Sequence, residues 1–266
     1  MIDIPFLFYV LTGICAGLLA GLLGLGGGII VVPALAAILS YFNLIPEVHV
    51  MHVAIATSLT TVVITFLASL QAHIRRGSVR WHYVRLLFPG ILIGVFIGAV
   101  LSAKVSSNYL RFFFCLFLFV MAYRLLTQRR VQSQMPIPQW VVRLAGLIVG
   151  FFSSILGVGG GIILMPFLLR TGLEMRAATG TSVACGVVIG LFATLNYIFL
   201  NAKVIQLPWS TGFVYWPAFL GVAVGSVLFA PLGTALAYRL PTHLLQKLLA
   251  IFLIIVGLNM LKAALL

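Results

Sequence analysis

Acidic residues are almost missing from this chain: Asp3, Glu47 and Glu174 are the only three among 266 residues. Charged residues of both signs make up 7% of the sequence, against roughly 25% in a soluble domain. So few charges cannot cover a globule of this size in water, which excludes a soluble enzyme or a soluble binding module. Cysteine is scarce too, with Cys15, Cys115 and Cys185 each inside an apolar stretch. The odd number, and the lack of a Cys-x-x-Cys or Cys/His cluster, exclude a disulfide framework and a metal site, so no metal and no cofactor is expected. The N-terminal apolar run has no basic residue before it and continues far past the length of a signal-peptide core, so it is expected to remain as the first membrane segment.

What is present is apolar. Hydrophobic residues are 63% of the chain and the mean hydropathy is +1.23. The composition predicts an all-α, polytopic transmembrane helical bundle. The net charge of +13 would suggest nucleic acid as the partner of a soluble protein. Here the bases stand at the ends of apolar runs, where they fix orientation and meet anionic lipid headgroups, so membrane lipids are expected as partners and nucleic acid is not.

From Ile4 to Pro46 there is no charge over 43 residues, enough for one crossing of about 20 residues and something more. Further spans are predicted at 50–72, 84–103, 108–127, 139–156, 177–200, 211–235 and 244–265. The span at 108–127 has a short strictly apolar part, because Arg111 and Arg124 stand within it. The polar, proline-containing stretch 128–138 divides the chain into residues 1–127 and 139–266, each expected to be one transmembrane repeat.

The two parts resemble each other. LLGLGGGIIVVP (Leu22–Pro33) aligns with ILGVGGGIILMP (Ile155–Pro166) at an offset of 133 residues. Ala56-Thr57-Ser58 matches Gly180-Thr181-Ser182, and Gln71 matches Asn196. Pro89 with Gly94 and Gly98 matches Pro217 with Gly221 and Gly225. The shared order points to an internal duplication. Four crossings per copy would make the copies parallel; a fifth, after the glycines, would invert them. The inverted count leaves Lys104, Arg111, Lys203 and Lys262 on one side and the other twelve Lys and Arg residues opposite, whereas the parallel count divides them ten to six. The positive-inside rule favours inversion and puts the central linker in the cytoplasm. The segments after the glycines are short for a crossing, since 13 residues rise only about 20 Å.

Gly24, Gly26, Gly27 and Gly28, with Gly157, Gly159, Gly160 and Gly161, are the candidate site. Consecutive glycines break a helix, and irregular backbone at membrane depth is tolerated only inside protein or beside a water-filled cavity. A helix restarting at each cluster would present free N–H groups and a positive dipole end, able to hold an anion without a buried cation. Paired broken helices in matching positions are the usual pointer to a transporter site. Other glycines at small-xxx-small spacing, such as Gly13/Gly17 and Gly146/Gly150, read as helix contacts. Thr57 and Ser58, with Thr181 and Ser182, are expected to add hydroxyl donors, and Gln71 and Asn196 to follow about four turns later. His52, with Glu47 five residues before it, is the candidate for proton coupling.

On these residues the chain resembles the TauE/SafE family of sulfite exporter-like membrane proteins. The Gly-x-Gly-Gly-Gly…Pro element in duplicate carries the resemblance, which extends over nearly the whole chain. It implies a secondary transporter, and specifically an exporter, of sulfite, a sulfonate or a related organosulfur anion, in the bacterial plasma (inner) membrane, with both glycine clusters lining a central site. An anion channel using the same segments as its filter is the alternative. An intramembrane enzyme would need a nucleophile–base or metal set, and the sequence has no His-Glu-x-x-His, no Gly-x-Ser-x-Gly and no carboxylate pair, so catalysis is not expected.

Overall fold

The computed structural model describes residues 3–23, 27–127, 137–199, 208–237 and 242–265. The first part of the chain contributes five helices: α1 (Asp3–Leu23), α2 (Gly28–Tyr41), α3 (Glu47–Arg75), α4 (Trp81–Lys104) and α5 (Ser107–Thr127). After the linker come α6 (Gln139–Leu156), α7 (Gly161–Arg170), α8 (Met175–Phe199), α9 (Trp216–Ala237) and α10 (Thr242–Leu265). A two-residue hairpin, β1 (Ser210–Thr211) against β2 (Val214–Tyr215), leads into α9. The protein is an all-α polytopic membrane protein. The expected span at 211–235 is corrected here: its first five residues form the hairpin, and the helix begins at Trp216.

Of these helices, α3, α4, α6 and α8 are long and apolar enough to cross a membrane by themselves. The outer surface is apolar as well, as on α5, where Phe112, Leu116 and Val120 recur every four residues and are all exposed. In water such a stripe would need covering; in a bilayer lipid tails cover it. Arg111, which shortened the apolar run of the same helix, turns inward and pairs with Glu47 at 2.7 Å.

The two short helices double back on the helices before them. Gly27 lies beside Ala16, in the middle of α1, and the ring of Phe42 just beyond α2 meets that of Phe8 near the start of α1, their centroids 5.7 Å apart. Thus α2 runs antiparallel to α1 and returns the chain to the end where it entered. Gly160 similarly lies beside Val149 and Ser153 of α6. At 14 and 10 residues, α2 and α7 extend only about 21 and 15 Å, roughly half to two-thirds of a bilayer core.

Glycine sets how closely the long helices approach. On α1 and α9, Gly13 and Gly17 meet the backbones of Val222 and Ser226, while Gly225 meets Val10 and Ile14. On α4 and α6, Gly146 and Gly150 meet Leu87 and Ile91, while Gly90 meets Arg143 and Leu147. A Cβ at Gly17, Gly146 or Gly150 would come 2.5 Å from a facing carbonyl oxygen, so these pairs touch backbone to backbone, as small-xxx-small spacing allows. The remaining major pairs are α3 with α8 and α5 with α10.

Candidate functional site

The glycine breaks follow from local backbone needs. Helix α6 ends at Gly157, whose φ of +69° is left-handed, and α7 is preceded by Gly160 at φ +72°. Both conformations strain any residue with a Cβ. Between them, the Val158 N–H donates to the Ser153 carbonyl and the Gly160 N–H to the Val158 carbonyl, which closes the turn. Neither α2 nor α7 has a side-chain cap at its N-terminus. Each also contains a proline one turn and a half in, Pro33 and Pro166, which withholds the N–H that would bond the carbonyl four residues earlier.

The two breaks come together in the middle of the molecule. A Cβ at Gly28 would lie 2.6 Å from the Gly157 carbonyl oxygen, 3.1 Å from Val158 Cα and 3.3 Å from Ser58 Oγ. Ser58, fully buried on α3, donates to that same Gly157 carbonyl at 2.8 Å. Gly159 rests on Val62 and Phe66 of α3, and Gly161 is buried at the start of α7. Gly27, Gly28, Gly157, Gly159, Gly160, Gly161 and Ser58 therefore form one buried junction between the α1–α2 and α6–α7 turns. Gly24 and Gly26 lie outside the described residues.

The remaining expected site residues take other places. Thr57 Oγ1 accepts the Tyr215 N–H at 3.1 Å, just before α9, and Thr181 Oγ1 accepts the Arg80 N–H at 3.0 Å, just before α4. Thr181 also donates to the Ala177 carbonyl of its own helix. These hydroxyls are engaged in holding helix starts. Ser182 donates to the Thr179 carbonyl within α8. Gln71 is exposed about 20 Å along α3 from Thr57, and Asn196 bonds back to the Phe192 carbonyl on α8, so neither reaches the glycines. His52 is buried against Phe213 with Nε2 3.0 Å from the carbonyls of Ser102 and Val105, and Glu47 is turned to Arg111 instead of to His52.

Ser153 and Tyr197 were not foreseen. Ser153 Oγ is buried without a partner beside Gly160. Tyr197 donates to the Ser154 carbonyl at 3.0 Å and meets the Ser102 hydroxyl, joining α8 to α6 and α4. Ser153 aligns with Ala20 in the offset that matches the glycines, so the duplication offered no signal for it. Among the described residues no group of three His, Cys, Asp or Glu side chains could hold a metal. Among the described residues the junction offers hydroxyls and helix N-termini and no ionised side chain.

Comparison with known proteins agrees with this architecture. The family described as sulfite exporter TauE/SafE matches residues 9–260. A "probable membrane transporter protein" of Haemophilus influenzae is 34% identical over 260 residues, covering 96% of this chain and 97% of the relative. Relatives of the same description, YunE of Bacillus subtilis and MJ0441 of Methanocaldococcus jannaschii, are each 25% identical and cover 95% of this chain, with 96% and 94% of the relatives covered. No solved structure gives a significant match.

Proposed function

The chain belongs to the sulfite exporter TauE/SafE family, and on that premise we propose that it is a secondary transporter exporting a small anion of the sulfite or sulfonate class. That it is a membrane transporter is the common ground of its family and relatives. The observation carrying the finer reading is the junction of two uncapped, glycine-broken helix N-termini, where Gly28 abuts Gly157 and Ser58 bridges to it. Free N–H groups at the starts of α2 and α7 give the anion its donors, and Ser58 adds a hydroxyl. In the conformation described the junction is closed, so substrate enters when the two turns separate; that separation is the alternating step.

The two parts of the chain act as inverted copies. Three features support this reading. The packing of α1 on α9 answers that of α6 on α4. Thr57 holds the start of α9 as Thr181 holds the start of α4. The return of α2 puts the end of α5 and the start of α6 at the end of the bundle opposite to Asp3. Counted along the sequence, the inverted arrangement assigns twelve Lys and Arg residues to the linker side and four to the other, which supports a linker facing the cytoplasm.

Proteoliposome counterflow with radiolabelled sulfite and sulfoacetate tests the proposal. Saturable exchange of either is expected. Flux that rises linearly through the millimolar range without counterflow would make the protein a channel.

A further inference from the structure

Between α2, α5 and α10 lies a groove of about 680 Å³, apart from the central junction. Its lining is sorted by polarity. At one end Ser40, Glu47, Asn108, Arg111 and Asn259 come together, close to the ends of their helices. Away from that end the walls are apolar, with Ile30, Pro33 and Ala37 on α2 and Phe252 and Val256 on α10, while Met260 lies beside Asn259. The apolar wall is about 10 Å long on α2 and about 6 Å on α10.

The polar end holds a cation below the surface. The Arg111 side chain is 9% exposed, and its guanidinium donates to Ser40 Oγ at 3.1 Å and to Glu47 Oε2 at 2.7 Å. The Glu47 side chain is 57% exposed, so the carboxylate can leave for water while the cation stays. Among the described residues Arg111 and Glu47 are the only ionisable side chains lining the groove. A small oxyanion has no use for an apolar slot of this length, and a water-filled path would need polar walls. An acyl chain ending in an acidic group fits both parts, with its head at the level of the helix ends and its tail at hydrocarbon depth.

We propose that this groove binds a membrane phospholipid with an acidic headgroup, the phosphate meeting Arg111 in competition with Glu47 and one acyl chain lying between α2 and α10. Because α2 begins at Gly28, a lipid seated along it braces one side of the central junction. The binding itself does not depend on the transport reading.

Native mass spectrometry of the full chain, titrated in detergent with dioleoylphosphatidylglycerol or dioleoylphosphatidylcholine, tests this. One phosphatidylglycerol retained per chain is expected, with at least tenfold weaker retention of phosphatidylcholine. Arg111→Gln should remove the preference. Ala37→Trp, at an exposed position on the groove wall, should remove retention of either lipid, and Glu47→Gln should tighten phosphatidylglycerol several-fold. The last two keep the cation in place, so the test stands even where Arg111→Gln fails to fold. Equal retention of both lipids, or an unchanged profile in both Ala37→Trp and Glu47→Gln, would overturn the proposal. So would displacement of the lipid by millimolar glycerol 3-phosphate, which would mean a site for phosphate alone, or by sulfoacetate, which would make the groove part of the transport path.

Discussion

Replacing Gly28 with alanine adds one methyl group at the contact between the two broken helices. That carbon would lie 2.6 Å from the Gly157 carbonyl oxygen, about 0.8 Å inside an ordinary contact, and 3.1 Å from Val158 Cα. Both neighbours are backbone, so a side-chain rotation cannot relieve the overlap. Either α2 shifts or the Gly157 carbonyl turns away and gives up its bond from Ser58. Overpacking of this kind costs about 1–3 kcal/mol, offset by up to about 1 kcal/mol because alanine favours the helix more than glycine. The net stability loss is therefore about 0–3 kcal/mol, small enough for the protein to fold. Transport suffers more if the closed junction lies on its path, because the overlap penalises that state directly. A cost of about 1.4 kcal/mol is tenfold in rate. The adjacent Gly27→Ala is the control: its Cβ would lie 3.1 Å from the Ala16 Cβ, a side-chain contact that needs a shift of only a few tenths of an ångström. We expect Gly28→Ala to slow counterflow tenfold or more and Gly27→Ala less than threefold, in proteoliposomes matched for folded protein. Equal rates for Gly28→Ala and the unmodified protein would refute the junction as the moving contact.

Thr57→Val and Thr181→Val should each lower stability by about 0.5–1.5 kcal/mol, the net value of one hydrogen bond, since the N–H groups of Tyr215 and Arg80 lose their acceptors. Thermal unfolding in detergent reads this, serine at either position should restore it, and substrate affinity should stay within twofold; unchanged unfolding with weaker binding would return these hydroxyls to the site. Gly150→Ala puts a methyl group 2.5 Å from the Ile91 carbonyl oxygen and should cost about 1–3 kcal/mol, seen as a lower unfolding temperature and a poorer yield of folded protein. Ser58→Ala removes the 2.8 Å bond to Gly157 and should raise the KM for the anion several-fold in an uptake assay, beside a stability loss of about 0.5–1.5 kcal/mol like that of the threonine variants.

The bundle and its glycine breaks were legible because both rest on composition over long stretches. Uncharged runs of about 20 residues read as membrane helices, and consecutive glycines cannot continue a helix. The hairpin at 210–215 was not legible, because Phe213, Val214 and Tyr215 continue the apolar character of α9. The partners of Thr57 and Thr181 were hidden for a related reason: each accepts a backbone N–H more than 100 residues away, which no side-chain pattern announces. The register of the proposed repeat shows the limit of spacing arguments. The alignment pairs Gly94 and Gly98 with Gly221 and Gly225. In the fold Gly90 sits on Arg143 and Leu147, and Gly225 on Val10 and Ile14, residues 133 positions apart, the same offset as the glycine clusters. Gly90 is thus the counterpart of Gly225. A glycine every fourth residue looks alike after a slip of two turns, and only the facing helix distinguishes the registers.

Counterflow of radiolabelled sulfite and sulfoacetate in proteoliposomes, with Gly28→Ala alongside the unmodified protein, tests the central claim most directly. Saturable exchange of at least one of the two anions is expected, and its loss in the variant. Saturable exchange that Gly28→Ala leaves intact, or no exchange of either anion by demonstrably folded protein, would contradict it.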